Sequence, residues 1–289
     1  MSYHSRLSKA FKNAPVLFIN SCSRYVIISD CHRGNGSAND NFLKNQNLYL
    51  TALQHYYAYG FTYIELGDGD ELWENRHMKG IIETYNPLFR LLSQFHADSL
   101  LYMLYGNHEM EKKKNGSQKK YCSKYFCYET QCTQAFLPEM KFYEGLILKS
   151  SSSATSLYLT HGHQVSFLNS VLWRFARFLV RYFWKPLEHF GISAPTSAAK
   201  NHVCKDKAEK RLLKYSHMTG RRLITGHTHR PRLNPSEPDY MNTGSCVHPG
   251  CITCLEVEAN TISLVKWCFS VKKDRTLYVS REILSKIPL

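Results

Sequence analysis

Residues 25–32 read YVIISDCH. Tyr25, Val26, Ile27 and Ile28 form a short run rich in β-branched side chains, the signature of a buried strand. Ser29 ends the run, and Asp30 and His32 follow it two residues apart. Side chains at that interval on a strand end can point to the same side. A carboxylate beside an imidazole suits a divalent transition metal.

The same sentence is written four more times. Phe61–Leu66 is an apolar run closed by Gly67, Asp68, Gly69, Asp70 and Glu71. Leu100–Leu104 runs into Gly106, Asn107, His108 and Glu109. Leu157–Thr160 is followed by His161, Gly162 and His163. Leu223–Thr225 leads to Gly226, His227, Thr228, His229, Arg230 and Pro231. Helical patterns over 41–59 and 80–95 lie between the first three. Strands alternating with helices predict an α/β (α+β sandwich) architecture, with two central mixed sheets flanked by helices. Ligands in such folds collect at the carboxyl ends of strands, where these clusters fall. The tail, 251–279, alternates apolar and polar residues, which predicts antiparallel strands forming a second sheet on the first. Ser150–Ser153 reads as a turn. The segment 111–120 holds five lysines and reads as a solvated loop.

A chain of 289 residues, 43% of them hydrophobic, is long enough for one large core. It reads as a single domain over 1–289 with a helical, lid-like insertion at 166–215. Lysine and arginine outnumber the acids 37 to 23, a formal charge of +14. That balance favours anionic partners, whether phosphate, nucleic acid or an acidic membrane, and competes only with plain solvation. The ten cysteines do not read as a disulfide framework in a chain this long whose first residues are polar and basic. A reducing, cytoplasmic setting is expected. Cys251 and Cys254 form a C-x-x-C pair near Cys246, without the second pair a zinc site needs.

Singly, each cluster has an ordinary explanation. Asn107 and His108 could sit in a turn, and a lone histidine is usually not a ligand. Five strand ends all carrying ligand-type residues are a different matter. The ordered set D-x-H, G-D-x-x-[DE], G-N-H-[DE], a later His and G-H-x-H resembles the calcineurin-like metallophosphoesterase superfamily. The resemblance spans residues 30 to 229. It implies one metal on Asp30, His32, Asp68 and His229, and a second on Asp68, Asn107, His161 and His227. It implies two divalent ions, manganese first, with iron or zinc as alternatives. It also implies hydrolysis of phosphate esters or pyrophosphates by a hydroxide bridging the ions. His108 is then the expected acid for the leaving group, with Glu109 orienting its ring. Arg33 and Arg230 flank ligands and are candidates for the substrate phosphate.

A narrower likeness is to UDP-2,3-diacylglucosamine pyrophosphatases. It rests on Leu66, Gly67 and Asp68 with Glu71 and Trp73, on the closing 226–231 motif, and on a long insertion before it. His108 stands where that group has arginine, and His163 where it usually has aspartate. The substrate expected on this likeness is a phosphorylated small molecule or a lipid-linked nucleotide.

The insertion carries Leu168, Leu172, Phe175, Leu179 and Tyr182 at helical spacing, widened by Val171, Phe178 and Phe183. Arg174, Arg177 and Arg181 form a basic stripe, and Pro186 is the expected stop. Three arginines at roughly 2.5–3.5 kcal/mol each oppose a membrane span. The open alternatives are a lid over the site, peripheral contact of 166–190 with the inner membrane face, and plain packing. A second, more polar helix is expected at 201–214. Two functions compete with hydrolysis of small esters. One is a nucleic-acid phosphodiesterase, which the scattered basic residues do not favour. The other is an idle scaffold of this fold, which has no need of seven ligand positions.

Overall fold

All five apolar runs are strands in a computed structural model that describes residues 1–114, 116–121, 124–184 and 202–289. They are β2 (Arg24–Ile28), β3 (Thr62–Leu66), β4 (Leu101–Leu104), β9 (Ser156–Thr160) and β10 (Arg222–Thr225). Alternation within β2, β3 and β4 feeds two separate cores. Val26, Ile28, Tyr63, Leu101 and Met103 face one apolar cluster, and Tyr25, Ile27, Ile64, Leu66 and Leu104 another. A strand buried on both faces reads as an unbroken apolar run.

The strands sort into two mixed sheets, as expected. In the first, β2, β3 and β4 pair in parallel. The pair-strand β7 (Phe142–Tyr143) closes one edge, and β12 (Cys251–Glu258), β13 (Thr261–Val271) and β14 (Leu277–Pro288) extend the other. Its order is β14-β13-β12-β2-β3-β4-β7. The second sheet adds β1 (Val16–Ile19), β8 (Gly145–Ser150) and β11 (Tyr240–Asn242) to β9 and β10, in the order β1-β8-β9-β10-β11. A small hairpin of β5 (Lys124–Cys127) and β6 (Cys132–Ala135) stands apart. The tail therefore departs from expectation. Its strands are antiparallel, but β12 pairs with β2 and enlarges the first sheet. Residues 252–257 are buried throughout, which marks a central strand and not the edge of a new sheet.

Helices cover both outer faces. Leu48, Tyr49, Ala52, Leu53 and Tyr56 of α2 (Gln46–Ala58), with Leu88, Phe89, Leu92 and Phe95 of α4 (Asn86–Ala97), pack against the first sheet. Leu7 of α1 (Tyr3–Ala10), with Leu212 and Tyr215 of α8 (His202–Thr219), packs against Leu223 and Tyr240 of the second. The expected helix over 80–95 is two helices, α3 (Met78–Thr84) and α4, because Pro87 disfavours helical backbone before it and starts the next helix well.

The lysine-rich stretch is not a free loop. Met110–Lys113 is a 3-10 turn and α5 (Ser117–Tyr121) follows it. Lys112 is only 3% exposed, drawn inward by Asp70 and Glu109.

The insertion contains α6 (Phe167–Ser170), α7 (Trp173–Leu179) and a π-helical turn over Val180–Trp184. Lys185 and the expected stop at Pro186 lie outside the described residues. Its apolar stripe points outward: Phe167, Val171, Leu172, Phe175, Phe178, Tyr182 and Phe183 are exposed. Two of the three stripe arginines turn inward, while Arg174 is exposed. Arg181 donates to the carbonyls of Trp73 (2.8 Å) and Leu72 (2.6 Å), and Arg177 pairs with Glu111. Among the described residues no helix is long and apolar enough to cross a membrane.

Candidate metal centre

The five polar clusters meet where the parallel strands of the two sheets end. Backbone bonds lock them together: Asp30 N–H donates to Gly67 O at 3.0 Å, His32 N–H to Asp68 O at 2.9 Å, and Gly226 N–H to His161 O at 3.1 Å. Asp30, His32, Asp68, His227 and His229 all hold left-handed backbone, with φ of 53°, 50°, 52°, 67° and 57°. Such conformations cost a non-glycine residue on the order of 1 kcal/mol and persist where surrounding bonds impose them. Two glycines make the crossing possible. A Cβ on Gly67 would lie 2.7 Å from Gly106 N, and one on Gly106 would lie 2.1 Å from Asp68 Oδ1.

Six of the seven expected ligands fall into two groups whose donor atoms lie within 4.8 Å of one another: Asp30, His32 and His229, and Asp68, His161 and His227. Asp68 Oδ2 stands between the groups, 3.1 Å from His161 Nε2 and 3.8 Å from His32 Nε2. His229 Nε2 is 3.1 Å from Asp30 Oδ1. The seventh, Asn107, is buried with its Oδ1 unbonded. Asp30 Oδ1, His32 Nε2 and His161 Nε2 are likewise buried without a hydrogen bond. Orphaned buried polar atoms are costly, and nitrogen and carboxylate donors in this mixture fit divalent transition ions. The rings are aimed from behind. His161 Nδ1–H donates to Leu66 O at 3.0 Å and His32 Nδ1–H to Glu71 Oε2 at 2.8 Å, which leaves each Nε2 facing inward.

The charges are interleaved. His229 and His161 hold Asp30 well below the usual carboxylate range despite its burial, and His161 does most of the same for Asp68. Despite burial, Asp68 and Asp30 raise His161 to about 9. Burial and the neighbouring His161 lower His227 to about 3. A cluster this crowded admits positive charge readily but cannot protonate every ring. His163 adds to the crowd. It is fully buried, both ring nitrogens lack partners, and its ring centre is 5.6 Å from that of His161.

His108 stands at the rim. Its Nδ1–H donates to Glu71 Oε1 at 2.7 Å, and Trp73 stacks on its ring at 4.2 Å between centroids. Three expectations need correction here. Glu109 does not orient His108. It is fully buried, and its Oε1 accepts from Asp70 N–H at 2.8 Å and Lys112 Nζ at 2.6 Å. Burial pushes it up, to about 7, although Lys112 opposes the shift. Glu71, already present in the G-D-x-x-E motif, takes the orienting role. Arg33 does not face the site either. It is 0% exposed, forked onto Glu65 at 2.7 and 3.0 Å, bonded to Asp70 at 2.8 Å, and laid over the Phe89 ring. Arg230 is engaged by Asp206 and Glu209 of α8. Lys112 was the other omission, and its spacing of three from Glu109 was the available signal.

No curated protein matches this chain. Solved structures with a similar fold include Vps29 from Chaetomium thermophilum, 11% identical, covering 93% of this chain and 98% of that one, with a TM-score of 0.43. Vacuolar protein sorting 29 from Cryptosporidium parvum is 12% identical, covering 92% and 100%, with a TM-score of 0.37. Likeness at that level carries no inference about activity. The model of the calcineurin-like phosphoesterase family matches residues 23–231, a span holding every residue of both donor groups. This chain belongs to the calcineurin-like phosphoesterase family.

Proposed function

We propose that this chain hydrolyses phosphate esters or pyrophosphates with two divalent ions, manganese first among them. The position of Asp68 carries the reading, because one carboxylate lying between two buried donor groups can serve an ion in each. Asp30, His32, Asp68 and His229 would hold one ion, and Asp68, Asn107, His161 and His227 the other. Such a pair supplies Lewis acidity and an activated water for in-line displacement at phosphorus. The chain supplies the rest. His108 gives a proton to the leaving oxygen from Nε2, because Glu71 occupies Nδ1 and the Trp73 stack keeps the ring from turning. The test is a manganese-supplemented screen of monoesters, diesters and pyrophosphates, lipid-linked nucleotides included, on protein of measured metal content. Two bound ions with turnover on one class support the reading. Two bound ions with no turnover on any class would assign the chain to the scaffolds of this fold.

The insertion favours a second element, a substrate with an apolar part met at a membrane surface. Arg177 and Arg181 tie the segment to Glu111 and to the loop after Glu71. Asn169 Nδ2 lies 3.5 Å from His227 Nε2 at its other end. The exposed row from Phe167 to Phe183 is therefore turned away from the body beside the metal centre, as in a helix lying on a bilayer. Anionic vesicles at low salt should bind the wild-type chain and bind Phe175→Ser/Phe178→Ser less. Failure of the wild type to bind would end the membrane reading and leave the hydrolase reading intact.

A further inference from the structure

His163 has no part in the chemistry described so far. It is 1% exposed, and neither Nδ1 nor Nε2 has a hydrogen-bond partner. Among the described residues no other side chain carries two such buried, unbonded atoms. Buried polar atoms are nearly always bonded, and an orphan is costly. For Asp30 Oδ1, His32 Nε2, Asn107 Oδ1 and His161 Nε2, which share the condition, an ion would answer it. His163 needs a different answer.

Its position is set by the turn it begins. Gly162 holds left-handed backbone at φ 102°, and His163 opens the 3-10 turn that runs to Val165. The next two residues are engaged elsewhere. Gln164 turns back to the strand end, accepting from Gly162 N–H and donating to Thr160 Oγ1, each at 3.1 Å, and Val165 packs with Leu7 and Leu212 in the core. The His163 ring instead lies 5.6 Å from that of His161, close to the 5.2 Å between His161 and His227. It is a neighbour of that donor group and not a member. The donor atoms of Asp68, His161 and His227 lie within 4.8 Å of one another, and His163 does not join them. The same turn leads at Ser166 into α6, whose Asn169 Nδ2 is 3.5 Å from His227 Nε2. His163 therefore belongs to the wall shared by the second donor group and the foot of the insertion.

We propose that His163 is a substrate-binding residue, its ring N–H donating to a non-bridging oxygen of the phosphate group held on the His161 and His227 side of the centre. This deepens the hydrolase reading and rests on it for the identity of the anion. An imidazole carries at least one N–H in either protonation state, so the contact does not depend on the ring's charge. A hydrogen bond to an ionised oxygen is about twice as strong as one between neutral groups. Both arginines expected at the phosphate are occupied, Arg33 by Glu65 and Asp70 and Arg230 by Asp206 and Glu209. The contact falls to a ring that no group of the described residues has claimed.

His163→Phe keeps the bulk of the ring and removes both nitrogens. In the manganese-loaded whole chain, inorganic phosphate is titrated calorimetrically, with manganese content, melting temperature and hydrolysis measured alongside. Phosphate should bind about tenfold more weakly, the loss of one hydrogen bond to a charged acceptor. KM should rise more than kcat falls, bound manganese should be unchanged, and the metal-free variant should melt no lower than the wild type. His163→Asn and His163→Gln place an amide N–H near the positions of Nδ1 and Nε2, and one of the two should recover most of the phosphate affinity. If phenylalanine does not fit, the smaller His163→Leu carries the same comparison. Unchanged phosphate affinity without the nitrogens overturns the proposal. So does a fall in bound manganese, which would make the ring a ligand. Because phosphate binding is read without turnover, a wild-type chain that binds phosphate and hydrolyses nothing refutes the hydrolase reading alone.

Discussion

Glu71 divides one carboxylate between two imidazoles, giving Oε2 to His32 at 2.8 Å and Oε1 to His108 at 2.7 Å. The ring that would hold an ion and the ring that would move a proton thus share an anchor. Glu71→Gln should weaken manganese binding by about 10–100-fold and slow turnover as well, since both rings lose their orienting charge. Calorimetric metal titration alongside rate measurement reads both. A variant matching the wild type in each would show the shared anchor to be idle.

Asp68→Ala removes the carboxylate that lies 3.1 Å from His161 Nε2 and 3.8 Å from His32 Nε2, one ring from each donor group. Metal content after reconstitution should fall below two ions per chain and metal-dependent hydrolysis should vanish. Elemental analysis of the purified variant decides it, and wild-type turnover would refute the two-ion assignment.

His108→Ala should keep its metal and turn over more slowly, most severely with poor leaving groups. A proton donor contributes typically about 10²–10⁴-fold. Rates across a series of aryl esters of graded leaving-group acidity give the comparison, and equal slowing throughout would remove His108 from the acid role.

Lys112→Met strips Glu109 of its cationic partner in the interior and leaves Asp70 with Arg33 alone. Breaking a buried pair this way costs about 3–5 kcal/mol. Urea unfolding of the variant should show that loss. The effect is one of folding, since Lys112 holds the loop bearing Asp68 and Glu71 without touching either donor group.

Glu111 gives the pH prediction. Although burial opposes it, bonds to Tyr121 and Arg177 lower the folded-state pKa below its unfolded value. The stabilisation is therefore complete above the ordinary carboxylate pKa and is lost as pH falls through the lower folded value. Wild type should melt above Glu111→Gln near pH 7, and the two should converge well below about pH 4. Proteolysis within the insertion, which Arg177 ties to Glu111, should follow the same curve.

Much of this was legible in the chain because strand ends write chemistry at fixed offsets. Asp30, Asp68, Asn107, His161 and His227 each follow an apolar run closely, and the runs announce the two sheets. What stayed hidden was long-range. Nothing local tells that β12 pairs with β2, because an alternating tail fits either sheet. Nor does local sequence tell that Arg33 turns inward to Glu65, 32 positions away, and not outward beside His32. The insertion's stripe was visible, but its direction depended on carbonyls at Leu72 and Trp73 that claim Arg181.

Five ligand-type residues bent into left-handed backbone describe a socket formed during folding. An arriving ion then has little conformational disorder left to remove, so capture should be rapid and reversible. The same stiffness limits accommodation. Ions that demand a different arrangement of donors cannot pull Asp30 or His229 toward themselves without undoing the crossings that hold the two sheets' loops together. Discrimination among metals would then be a property of the backbone, set before any side chain meets its ion.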